Sequence, residues 1–137
     1  MRLINLLLAL CLLALAACAS SSPGANALDT VQYAWSGAIR WGDFAGAGNL
    51  VDPDVREAKA TTELEMKRYD QVQVSSYRVV GSSRDIESGT AVRDVEIGVI
   101  NRHTMAERTV KYSERWRWDE TAGTWWNTGG LPDLWAE

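Results

Sequence analysis

The stretch "ERWRWDETAGTWWNTGG", residues 114–130, holds four of the chain's seven tryptophans. Such crowding marks either a platform for a ligand or the inside of a small β-protein. The residues just before it bear on the choice. In "RTVKYSERWRW", residues 108–118, Val110, Tyr112, Trp116 and Trp118 fall on one face; Thr109, Lys111, Ser113, Arg115 and Arg117 fall on the other. That period of two belongs to a strand with one solvated face and one buried face. "TWWNT" (residues 124–128) reads as the next strand, joined to the first by a turn from Asp119 to Gly123. If Asp119 pairs with Thr124, Trp118 opposes Trp125 on the inner face, and Arg117 opposes Trp126 on the outer face with its guanidinium over the indole. A bulge in the turn would exchange Trp125 and Trp126, so which of the two faces inward stays open. Packing accounts for most of the aromatic mass, with a ligand platform as the other reading.

Two charges break the alternation. Glu114 shares the Tyr112/Trp116 face, and Arg93 shares the face of Ala91 and Val95 in "TAVRDVEIGVI", residues 90–100. An unpaired charge on an inward face costs several kcal/mol, so a pair between neighbouring strands is expected. The two residues are either a structural ion pair or simply placed at the open mouth of the sheet, or else a polar anchor in a ligand pocket. The candidate cavity residues are accordingly Arg93, Tyr112, Glu114, Trp116 and Trp118.

A further strand is expected over "YDQVQVSSYRVVG", residues 69–81, and hairpin turns over residues 87–89 and 101–103. Upstream the period changes. Leu28, Val31, Trp35, Ala38 and Ile39 recur at helical spacing between about residues 27 and 41. Gly42 is placed to end that helix and Asp43 to cap a second short one carrying Phe44, Ala47 and Leu50 or Val51 inward. Asp52-Pro53 breaks it, and residues 62–68 form the better helix of the polar stretch that follows.

Helices first and a four-strand antiparallel meander second describe an α+β domain, with the helices on one face of a curved sheet. The helix–Gly-Asp–helix run "AIRWGDFAGAGNLVDPDV" and the strand pair "ERWRWDETAGTWW" resemble the NTF2-like superfamily over about residues 27–137. A cystatin-like arrangement is the nearest alternative. The NTF2-like resemblance implies a cone-shaped sheet, which often encloses a cavity that can take an apolar or sugar-like ligand.

The chain opens "MRLINLLLALCLLALAACASSSPGAN". Arg2, an apolar run to about Leu15 and small residues after it have the layout of a signal peptide, too short to span a bilayer comfortably. Leu15-Ala16-Ala17-Cys18 resembles the lipobox of bacterial lipoproteins. The resemblance implies cleavage before Cys18, a diacylglyceryl group on its thiol and an acyl chain such as palmitate on the new amine. Ala19 and Ser20, with no Asp after the cysteine, imply the outer membrane, at its periplasmic face. Two or three chains give a stable anchor, at about 0.8 kcal/mol per buried CH₂. The organisation expected is a signal peptide over residues 1–17, a tether over 18–26 ("CASSSPGAN"), and one domain over 27–137. Extended at about 3.3 Å per residue, the tether reaches about 30 Å.

Arg2 is the only charge in the leader, so 13 basic residues remain against 18 acidic ones. An acidic domain has no electrostatic reason to seek nucleic acid. Removing Cys11 and acylating Cys18 leaves no thiol for a disulfide. The single histidine, His103, falls in a turn, and no set of side chains has the spacing of a metal site, a nucleophile–base pair or a phosphate loop. No catalytic residue and no cofactor is expected; Glu114 is the sole inward acid that a catalytic reading could use. The function expected is a membrane-anchored, non-enzymatic periplasmic domain that binds a protein partner or envelope component. The alternative is a binder of a small apolar or sugar-like ligand in a tryptophan-lined cone.

Overall fold

The computed structural model describes residue 1 and residues 23–135. Cys18 and the cleavage site expected before it lie outside the described residues. Four helices precede four strands: α1 Pro23–Arg40, α2 Phe44–Gly48, α3 Pro53–Ala58, α4 Glu63–Tyr69, then β1 Val72–Asp85, β2 Thr90–Asn101, β3 Glu107–Asp119 and β4 Thr124–Asn127. The strands form one antiparallel sheet in the order β1-β2-β3-β4.

Helix α1 starts at Pro23, four residues before the expected boundary, so residues 23–26 are helical and do not belong to the tether. The early start has a local reason: proline suits a first helical position, where its missing N–H is not needed and its φ is already helical. Leu28, Val31, Trp35 and Ile39 bury the expected stripe. The helix ends in a double hydrogen-bonded turn, with Asp43 N–H donating to Ala38 O at 2.8 Å and Gly42 N–H to Ile39 O at 3.1 Å. This turn needs a left-handed residue, and Gly42 supplies φ +75°.

Each short helix carries its own cap. Asp43 accepts from Gly46 N–H at 2.8 Å, and Asp52 from Asp54 N–H at 2.9 Å. Thr62 and Glu65 form a reciprocal capping box on α4. Phe44, Ala47 and Val51 are buried, as their spacing requires.

On the sheet, Ala91, Val95, Ile97 and Val99 of β2 and Val110, Glu114 and Trp116 of β3 are buried; Tyr112 and Trp118 are half-buried. The β3–β4 register is the unbulged one: Trp118 opposes Trp125, and Arg117 opposes Trp126. Trp125 faces inward and is buried, while Trp126 donates its Nε1–H to Asp119 on the outer side at 3.2 Å. The expected stacking of Arg117 over Trp126 is replaced by an ion pair: the guanidinium lies 2.7 Å from Asp52 Oδ2, which draws it toward the α3 cap.

The two edges of the sheet are treated differently. Along β4, Asn127 N–H donates to Leu50 O and Asp52 N–H to Asn127 O, both at 2.9 Å, so the segment before α3 covers that edge. Strand β1 has no strand on its outer side among the described residues, and two irregularities interrupt it, at Val74/Ser76 and Val79/Gly81. Bulges of this kind discourage pairing with another chain. The first one sits against Gly98, where an added Cβ would come within 2.5 Å of both the Ser75 and Ser76 hydroxyl oxygens.

Candidate functional site

Arg93 and Glu114 are register partners on β2 and β3. Their side chains meet in a two-pronged pair, with Arg93 Nε donating to Glu114 Oε2 at 2.8 Å and Nη2 to Oε1 at 2.7 Å. Two further donors complete the carboxylate: Trp116 Nε1–H donates to Oε2 at 2.9 Å, and Tyr77 O–H donates to Oε1. Arg93 also reaches helix α1, where it donates to Ser36 Oγ at 2.9 Å and to Gln32 O at 3.2 Å. The cluster thus ties α1, β1, β2 and β3 together. Glu114 has no solvent exposure, so water does not reach its carboxylate to compete for these donors.

The space that a cone cavity would occupy is filled by Trp35. Its ring is fully buried, stacked on Tyr112 at 6.3 Å and edge-on to Trp116 at 5.8 Å. Trp118 lies apart from this group, tilted on Trp125 at 5.6 Å. The five candidate residues therefore do not line one cavity. Arg93, Glu114 and Trp116 share a buried cluster, Tyr112 packs beside it and gives its hydroxyl to Gly130 O at 2.6 Å, and Trp118 belongs to a separate aromatic pair. The physical reason is the volume of the Trp35 indole, which α1 brings down onto the sheet.

Open concave surface lies elsewhere. A groove of about 520 Å³ runs between α1 and β1, with Arg93 in its lining and the exposed Tyr33 and Trp41 at its rim. A second cleft, of about 610 Å³, is formed by α2, α3, α4 and residues 129–135. Its apolar lining includes Phe44, Met66, Tyr69 and Trp135, and its basic lining Arg56, Lys59 and Arg68.

No protein-family model and no curated protein matches the chain. Its fold is similar to the solution structure of a SEC-C motif containing protein from Rhodopseudomonas palustris, with a TM-score of 0.55 and 16% identity over 71% of each chain. At that identity the likeness speaks to the fold alone.

Burial sets the chemistry of the tyrosines. It pushes the Tyr77 hydroxyl well above its ordinary range, and the neighbouring Glu114 carboxylate adds to the effect. Burial likewise raises Tyr112, and it pushes Tyr69 up to about 12 with help from Asp133. These hydroxyls act as donors, not as bases. Among the described residues, no group of three or more His, Cys, Asp or Glu side chains could hold a metal ion. His103 sits exposed in the β2–β3 turn.

Two features escaped the sequence reading. Tyr77 joins the cluster only because the irregularity at Val74/Ser76 shifts the alternation of β1 by one residue. The second cleft draws on segments up to about 90 residues apart, and no periodicity links them.

Proposed function

We propose that the chain is a bacterial lipoprotein, anchored through lipid on Cys18 at the periplasmic face of the outer membrane, whose domain is a non-enzymatic module binding a protein partner or envelope component. The observation that carries it is Leu15-Ala16-Ala17-Cys18 directly behind an apolar run, the pattern that acylation and cleavage require. The filled interior supports a binding scaffold over a tryptophan-lined ligand cone: Trp35 and the Arg93–Glu114 cluster leave no room there. The four donors on Glu114 support a structural role for that acid, since a general base needs a free lone pair within reach of a substrate. Within this reading the finer fold assignment is NTF2-like, supported by the long first helix laid across an antiparallel meander.

Membrane fractionation tests the anchor. Wild-type protein is expected with the outer membrane. The Cys18→Ser variant is expected in the soluble periplasmic fraction or as uncleaved precursor. Identical processing and distribution of the two forms would remove the lipoprotein reading.

A further inference from the structure

We propose that the cleft between α2, α3, α4 and residues 129–135 binds a small apolar molecule bearing one acidic group, with Arg56 and Lys59 receiving the acid. Its volume of about 610 Å³ falls within the usual range of small-molecule sites. The apolar side exposes parts of the half-buried Met66, Leu131 and Trp135, backed by the buried rings of Phe44 and Tyr69. Phe44 stacks on Tyr69 at 4.1 Å, and Trp135 meets Tyr69 edge-on at 4.9 Å.

The charged side is what selects the ligand. Arg56, Lys59 and Arg68 line the cleft together with Glu65 and Asp133. Both carboxylates are already engaged: Glu65 accepts from Thr62 N–H at 2.7 Å, and Asp133 from Trp135 N–H at 2.9 Å. Arg68 lies over the Trp135 ring, 4.3 Å from its centre. Arg56 and Lys59, three residues apart at the end of α3, take part in no ion pair among the described residues. The hydrogen bonds from Thr62, and after them the charges of Lys59 and Arg68, hold the Glu65 carboxyl below its ordinary pKa, which leaves Arg56 the least engaged cation of the cleft. In a chain whose acids outnumber its bases by 18 to 14, three cations against two carboxylates make this lining locally basic.

Each half of the site excludes a simpler ligand. An inorganic anion would meet the cations but leave the exposed parts of Met66, Leu131 and Trp135 wet. A neutral hydrocarbon would cover those side chains but make no use of the charge of Arg56 and Lys59. A molecule with an apolar body and one carboxylate meets both, through area burial and charge-assisted hydrogen bonds. No strand contributes to the cleft, so the site is separate from the Arg93–Glu114 cluster, and the proposal does not depend on the lipid anchor.

The test is calorimetric titration of the intact chain in phosphatidylcholine nanodiscs, with empty nanodiscs subtracted. The probes are 2-naphthoate and its neutral counterpart 2-naphthylmethanol. The naphthoate is expected to bind at least about tenfold more tightly than the alcohol, the value of one charge-assisted contact. In the Arg56→Gln/Lys59→Gln double variant, naphthoate affinity is expected to fall about tenfold with the alcohol unaffected. Both replaced residues are exposed, so the core is untouched, and the acid–alcohol comparison on wild-type protein stands without the variant. Equal binding of the two probes, an unchanged naphthoate affinity in the variant, or no saturable binding at millimolar probe would each overturn the proposal.

Discussion

Glu114 sits out of contact with solvent, and each of its carboxylate oxygens accepts two donors. Removing Arg93 alone takes two of the four and leaves the acid with only Tyr77 and Trp116; removing Glu114 alone leaves a guanidinium, a hydroxyl and an indole N–H without their acceptor. Breaking such a pair costs about 3–5 kcal/mol, whereas replacing both members with apolar residues can approach neutrality. Arg93→Met and Glu114→Leu are therefore expected each to be strongly destabilising, and the double variant to be milder than their sum. Urea denaturation across the four proteins of the cycle measures the coupling; additivity within about 0.5 kcal/mol would show that the pair does not act as one unit. This pair was legible in the sequence because both residues keep an uninterrupted count of two from apolar neighbours, Arg93 from Val95 and Glu114 from Tyr112 and Trp116. Trp35 was legible as a buried residue of α1 but not as the one that fills the sheet's inner face. Helical spacing says which side of a helix is buried and is silent on which strand it meets.

At the scale of elements, one residue joins α3 to β3. Asp52 accepts from Asp54 N–H through Oδ1 and holds the Arg117 guanidinium through Oδ2. Asp52→Ala loses both contacts and is expected to cost about 2 kcal/mol, the upper end for a helix cap. Asp52→Asn keeps an acceptor for Asp54 and is expected to cost clearly less; equal losses in thermal or urea melts would show that the cap contributes nothing. Three tyrosine hydroxyls also link elements: Tyr69 of α4 donates to Pro132 O at 2.9 Å, Tyr77 of β1 to Glu114 of β3, and Tyr112 of β3 to Gly130 O at 2.6 Å. Burial raises all three above the ordinary value of 10.0. A group with a raised folded-state pKa favours the protonated native form, so its contribution is complete below pH 10. Above that the unfolded chain loses its protons first, and stability falls with rising pH, for Tyr69 between 10.0 and about 12. Urea midpoints are expected to be lower at about pH 11 than at about pH 8.5, with a smaller drop in Tyr69→Phe. Equal drops in wild type and Tyr69→Phe would mean that this hydroxyl is not buried as described. The Asp43 cap could be read from residue type and position, whereas Asp52-Pro53 reads as a break and proves also to start a helix. The Arg117–Asp52 bridge could not be read, because its members are 65 residues apart and the guanidinium had an equally plausible partner in Trp126.

Across the whole molecule, α1 sets a direction. Its 18 residues extend about 27 Å at 1.5 Å per residue. Residues 24 and 125 meet at its start, where Trp125 Nε1–H donates to Gly24 O at 2.8 Å, and helices α2–α4 with their cleft follow its far end. The turn at 86–89 and strand β4 thus lie at the start of α1, and the cleft lies toward its other end. The order of helices and strands, the meander and most of the core were written in periods of 3.6 and 2. The filled interior was not, since the volume between a helix and a sheet depends on how closely the two approach. The account rests most heavily on the modification of Cys18, and mass spectrometry of the amino-terminal peptide from protein purified out of cell membranes tests it directly. The account predicts a peptide that begins at Cys18 and carries a diacylglyceryl group on sulfur, with an amide-linked acyl chain on the amine. An unmodified Cys18, or a mature chain that begins at another residue, would contradict it.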